Sequence, residues 1–191
     1  MTADFNARLD QILDRLTADD FLQGRGLGNE IPYYAFDYPP EREPEMRAHL
    51  AFLLAQLPKR RPSLRFTHVN LLNLIVRHLQ ARGFYDKALA MWPAKGDDGL
   101  LKALAAPLDA TKLARLFAEE VQPQDRDLVL VSGVGAAYPL VRTHNLLNNL
   151  PHLTGPTPLV LFYPGRYDGQ ALRLFGILPD KPYYRAFRLV D

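Results

Sequence analysis

Residues 128–149 read LVLVSGVGAAYPLVRTHNLLNN, and the fold turns on how that stretch is read. Leu128 to Ser132 is almost unbroken Leu and Val, the pattern of a strand buried on both faces, as in a parallel sheet covered by helices. Gly133 and Gly135 break the run. Pro139, suited to the first position of a helix, then opens a segment carrying Arg142, His144, Asn145, Asn148 and Asn149. Strand, glycine turn and helix in that order have the outline of a nucleotide-binding loop.

The residues that would give such a loop its chemistry are missing. A dinucleotide fingerprint needs G-x-G-x-x-G and an acid about 20 residues further on for the ribose. Tyr138 occupies the third glycine position, and no Asp or Glu occurs between Asp127 and Asp168. A phosphate-cradling P-loop needs G-x-x-x-x-G-K-[ST], yet no lysine stands between Gln122 and Asp180. Ser132 ends its strand without the G-x-S-x-G elbow of a nucleophilic serine, because Leu130 stands at the first glycine position. It reads as a small residue closing a buried strand.

Outward from this stretch the pattern alternates between strand and helix. Residues 3–16 set Phe5, Leu9, Ile12, Leu13 and Leu16 at helical spacing, an amphipathic helix whose stripe should dock on the main body. GRGLGNE at 24–30 follows, and then IPYYAFDYPP at 31–40, a short strand running into a turn. Residues 41–57 read as a helix closed by PKRRP at 58–62, a basic run taken as a solvated linker, with contact to acidic groups as the lesser option. A strand over 64–70 and a helix over 71–83 come next. Helices are then expected at 84–92, 98–105 and 109–121, the last capped by Asp109. TPLVLFY at 157–163 repeats the buried-strand character, and ALRLFGIL and YYRAFRLV read as a C-terminal strand pair. The expected fold is α/β: a mostly parallel central sheet with flanking helices, Rossmann-like or degenerate P-loop-like, behind an N-terminal helical segment. A single domain over 1–191 is expected, with residues 1–60 as a helical extension packed on it.

Composition narrows the function. A chain of 191 residues, 48% hydrophobic and 23% charged, is ordinary for a folded protein, and no run approaches the ~20 apolar residues of a membrane span. The opening residues lack the apolar centre of a signal peptide, and the absence of cysteine removes disulfides, thiolate zinc sites and thiol nucleophiles. Both fit the cytoplasm. A net charge of +2 does not announce nucleic acid. His49, His68, His78, His144 and His152 form no metal motif; His144 and His152 lie two helical turns apart with Pro151 between them. No cofactor, metal or catalytic set is expected.

Two places stay open as contacts for a partner or an anion. Arg142, Asn145 and Asn149 fall at three- and four-residue steps on the helix after the glycine turn, with Leu146, Leu147 and Leu150 on the packing side. They could meet an anion or an acidic side chain, or simply cap and brace the loop before Leu153. YPGRYDGQ at 163–170 offers Arg166, Tyr167 and Asp168 beyond a strand end, where open α/β sheets bind ligands, or else is a plain glycine turn. Asp168 has only Asp180 as an acidic neighbour in sequence, which leaves a hydrolase without its pair.

THVNLLNLIVRHLQARGFYDKAL at 67–89, DLVLVSGVGAAYPLVRTHNLLNNL at 127–150, TPLVLFYPGRYDGQALRLFG at 157–176 and YYRAFRLV at 183–190 together resemble the BrxB family of bacteriophage exclusion (BREX) defence systems. The resemblance covers about two thirds of the chain, from Leu64 to Val190, and is weaker over the first 60 residues. It implies a cytoplasmic protein working beside a PglZ-type phosphatase-like component, a large ATPase and an adenine-specific DNA methyltransferase. The family brings no established catalytic residues. The expected function is a non-catalytic adaptor bridging other BREX proteins, the PglZ-type protein first among them. The alternative is a nucleic-acid or nucleotide-binding module using Arg142, Arg166 and the basic run, and the third an unrecognised nucleotide hydrolase.

Overall fold

A computed structural model describes residues 4–24, 30–177 and 186–191. The strands among them are β1 (Tyr33–Tyr38), β2 (Phe66–Asn70), β3 (Leu128–Ser132), β4 (Leu159–Tyr167), β5 (Leu172–Leu174) and β6 (Ala186–Arg188). They form one sheet ordered β2-β3-β4-β1-β6, every neighbouring pair on that path parallel, with β5 antiparallel on the end of β4. All residues of β1 and of β3 are buried, as continuous apolar runs in a covered parallel sheet should be. The α/β expectation is borne out.

Helices cover both faces. On one lie α1 (Phe5–Thr17), α2 (Asp19–Leu22) and α3 (Glu43–Arg60). Phe5, Leu9, Ile12 and Leu16 of α1 pack with Tyr34, Phe36, Leu130, Val160 and Phe162 from the sheet. Each such side chain contributes roughly 1.5–3 kcal/mol when fully buried. On the other face lie α4 (Leu71–Ala81), α5 (Tyr85–Leu104), α6 (Ala110–Val121), α7 (Val134–Ala137), α8 (Thr143–Asn149) and α9 (Pro151–Thr154), against Tyr33, Ala35, Val129, Val131, Leu159 and Leu161. The period of two along each strand sends alternate residues to the two cores.

Three readings change. The basic run is no linker: α3 continues through Pro58 to Arg60, where Arg60 pairs with Asp14 at 2.9 Å and Arg61 with Asp19 at 2.7 Å. Acidic residues of α1 and α2 lie against the end of α3, so the lesser option holds. The C-terminal strands do not pair with each other: β5 folds back on β4 through the turn at Gly169, while β6 adds beside β1. Pro139 does not open the polar helix. Gly133, at φ 70°, starts the one-turn α7 directly after β3, and α8 begins only at Thr143, with a cis Tyr138–Pro139 bond between them. Residues 25–29 of the glycine-rich segment and Tyr183, Tyr184 and Arg185 of the last expected strand lie outside the described residues.

Candidate functional site

The glycines that suggested a nucleotide loop have another use. A Cβ on Gly133 would stand 2.4 Å from Oδ1 of Asn70, the side chain that caps α4 by accepting from the Asn73 N–H at 3.1 Å. A Cβ on Gly135 would stand 2.8 Å from Pro164 and 3.1 Å from the Phe175 ring. Both positions let neighbouring strand ends close together. They are packed with protein where a phosphate would have to sit.

The sheet nevertheless has a switch point. From β1 the chain crosses by α3 on one face to β2 at the far edge, then returns through β3 to β4 by helices on the other face. Adjacent β1 and β4 are thus served by connections on opposite faces, the arrangement that opens a crevice beyond strand carboxyl ends. A cavity of about 770 Å³ lies there, lined by Asp4, Phe5 and Arg8 from the start of α1, Asp37 and Tyr38 from β1, Gly165 and Arg166 from β4, and Arg188 from β6, with Pro39 and Asp191 beside them.

Asp37 organises this crevice. Its Oδ1 accepts from Arg8 Nη2 at 2.8 Å, its backbone carbonyl accepts from Arg8 Nη1 at 2.8 Å, and its Oδ2 accepts from the Tyr167 N–H at 2.9 Å. The guanidinium of Arg8 lies 4.7 Å over the Phe36 ring, and its buried Nε has no acceptor among the described residues. One carboxylate therefore ties α1, β1 and the end of β4 together. Arg188 donates to the Tyr167 carbonyl, and the Tyr167 hydroxyl, its pKa raised by burial, reaches the Ala186 carbonyl at 2.5 Å.

The expected site residues fall into two groups. Arg166 is exposed on the crevice, whereas Tyr167 is buried in the network just described. Asp168 is used by its own turn, accepting from the N–H groups of Gln170 at 2.9 Å and Ala171 at 2.8 Å, and the Ala171 and Gln170 amides lower its pKa. Arg142 and Asn145 line a different cavity of about 530 Å³ with Leu101, Leu104 and Leu108, the start of α6 and the 138–141 loop. The Asn149 side chain donates to the Asn145 carbonyl at 2.8 Å, so it braces α8. Among the described residues no acceptor bonds Arg142 or Arg166, and no group of His, Asp and Glu could hold a metal.

One pair escaped the sequence. His68 Nε2 meets Ser132 Oγ at 2.8 Å across β2 and β3, and burial lowers the His68 pKa. Strand register brings them together, since His68 lies opposite Leu130 and Ser132 opposite Asn70. Nothing in either segment alone signals it. Ser132 is only 9% exposed.

The family model for the BREX protein BrxB matches residues 67–189. The chain belongs to the BrxB family. A BrxB protein of Bacillus cereus (strain H3081.97) is 39% identical over 190 residues, spanning 97% of both chains. Another, from Escherichia coli O9:H4 (strain HS), is 40% identical over 183 residues, covering 96% of this chain and 90% of its own. No solved structure is significantly similar to the chain. The BrxB resemblance read from the later segments is thus borne out and reaches further than expected, because both relatives match nearly the whole chain and not only its last two thirds. BrxB membership makes the chain a component of a BREX defence system and implies other BREX proteins as its partners. Among the described residues no helix is long and apolar enough to cross a membrane.

Proposed function

We propose that the chain is a non-catalytic adaptor that holds the PglZ-type phosphatase-like component of a BREX system, and through it the other members, on the surface formed by α5 and the groove at its C-terminal end. The observation that carries this reading is the exposure of α5. Of its 20 residues only Ala88 and Leu104 are buried, while Leu89 and Trp92 stand 49% and 48% exposed. Two successive helical segments that give so little to the core have side chains to spare for another surface. Gly96, at φ 63°, separates the two segments, and the Trp92 indole donates to Asp97 across the break at 2.7 Å.

The second half of α5 leads into the groove walled by Leu101, Leu104, Leu108 and Leu140, with Arg142 and Asn145 exposed on its rim. An apolar wall beside an unpaired guanidinium, with the acidic lining residue Asp109 already accepting from the Thr111 and Lys112 amides, suits an apolar segment carrying a carboxylate. The carboxylates at the strand ends support the non-catalytic part of the reading: Asp37 is held by Arg8 and an amide, Asp168 by two amides.

Affinity capture with the tagged protein, co-expressed with the other BREX components, tests this directly. The PglZ-type protein should be retained by the natural sequence and lost with Leu89→Asp. A clean monomer with no component retained overturns the reading.

A further inference from the structure

The crevice at the switch point shares no residue with the docking groove, and its lining has a chemistry of its own. We infer that it binds a small nucleoside phosphate, with the phosphate held by Arg166 and Arg188 and the ribose hydroxyls by Asp4 or Asp191. At about 770 Å³ the cavity is of the size that takes such ligands. Its position, between parallel strands whose connections leave on opposite faces, is the one where open α/β sheets bind them.

The charges decide the ligand class. Three arginines, Arg8, Arg166 and Arg188, face three aspartates, Asp4, Asp37 and Asp191. Arg8 meets Asp37 twice, through one carboxylate oxygen and through the backbone carbonyl, and the pair forms the back wall, with no acceptor for the Arg8 Nε among the described residues. Arg166 has no partner among the described residues, and Arg188 commits one nitrogen to the Tyr167 carbonyl. Asp4 caps α1 without a side-chain bond. What remains is the Arg166 guanidinium, the uncommitted nitrogens of Arg188 and the carboxylates of Asp4 and Asp191. A bare anion would answer the arginines and be repelled by the carboxylates. A nucleoside phosphate answers both, because its hydroxyls donate to a carboxylate as its phosphate accepts from arginine. The crevice reaches this chemistry without the glycine loop, since Gly133 and Gly135 are packed against Asn70 and Pro164.

Binding would join α1, β4 and β6 through one ligand and so raise thermal stability by mass action. The experiment is a melting and calorimetric titration of the full chain with AMP, GMP, ATP and, separately, inorganic phosphate. At least one nucleotide should raise Tm and give a saturable heat, with inorganic phosphate well below it at equal concentration. Arg166→Glu should weaken that binding about ten- to hundredfold, the range expected for losing a charge-assisted bond, without lowering the melting temperature of the free protein. Arg115→Ala, which removes an exposed guanidinium on α6, should bind as the natural protein does. No heat with any nucleotide overturns the inference. So does a Tm rise equal for inorganic phosphate and nucleotide, or one that Arg166→Glu leaves intact, which would be the general stabilisation of proteins by excluded anions. Capture of BREX components does not enter this readout, so the site and the adaptor reading fail separately.

Discussion

The crevice at the ends of β1 and β4 and the arm formed by α5 spend their side chains in opposite ways. In the crevice, polar groups far apart in sequence are locked to one another: Arg8 to Asp37, Asp37 to the Tyr167 amide, Arg188 to the Tyr167 carbonyl. Along α5, apolar groups are left to solvent, and Arg142 at its foot is unpaired among the described residues. Buried polar groups must be satisfied internally, at a high cost if a partner is lost, whereas exposed apolar groups cost little until something covers them. The first region should therefore report on stability and the second on association.

The largest stability effect is expected at Asp37. Asp37→Ala takes the carboxylate from Arg8 Nη2 and from the Tyr167 N–H, leaving the guanidinium, 12% exposed, only the backbone carbonyl of residue 37, and breaking a buried pair in this way costs about 3–5 kcal/mol. Asp37→Asn keeps an acceptor and should cost less. Denaturant unfolding of both variants measures the difference. Equal, small losses would mean that α1 is not held by this contact.

Gly133→Ala should come next, at about 2 kcal/mol or more, since its positive φ disfavours any side chain and the new Cβ would meet Asn70 at 2.4 Å. Asn70→Ala in the same chain should recover the clash but not the backbone strain. Since Asn70→Ala by itself gives up the cap of α4, the comparison is a cycle: if Gly133→Ala costs as much in the Asn70→Ala chain as in the natural one, the close approach is not what requires glycine there.

A smaller effect should appear with acid. Burial lowers the pKa of His68 and of His49, at His49 against the opposing pull of Asp10 and a bond to the Leu9 backbone. Both folded values lie below the unfolded reference of about 6.5, so the unfolded chain takes up these protons first. Their contribution is complete above about pH 6.5 and is lost as pH falls through the folded values. Melting temperature measured from pH 7.5 down to 5 should therefore fall in that window, and His68→Gln, which can still meet Ser132, should flatten part of the slope.

The fold was legible because its signals are local. Unbroken Leu and Val in β3 and β4 announced a covered parallel sheet, and Asp109 announced the start of α6, where it accepts from the Thr111 and Lys112 amides. What stayed hidden depends on register and on contacts across long separations. Arg8 and Asp37 lie 29 residues apart, Asp37 and Tyr167 130, and no spacing rule connects them. Arg166 was visible as a residue beyond a strand end, but the other walls of its crevice come from α1 and β6, which only the strand order places beside β4. Arg142 and Asn145 were legible as neighbours, although Arg142 stands just ahead of α8 as its N-cap and not on the helix; that the end of α5 supplies their apolar wall was not legible. Pro139 misled because a proline before a helical pattern reads as a helix start, while Gly133 had already turned the chain into α7 six residues earlier.

The smallest expected change in stability carries the sharpest statement about the arm. In Arg142→Ala/Asn145→Ala both side chains removed are exposed, and neither makes a hydrogen bond among the described residues; the carbonyl of Asn145 that accepts from Asn149 is backbone and survives. Surface changes of this kind usually stay within about 0.5 kcal/mol, so the melting temperature should hardly move. Retention of the PglZ-type protein should fall nonetheless, more steeply at low salt than at high, because the lost guanidinium is an exposed charge whose attraction salt already screens in the natural protein. A large drop in melting temperature would instead assign these residues to bracing α8 against the end of α5, and unchanged retention would move the contact up the arm to Leu89 and Trp92.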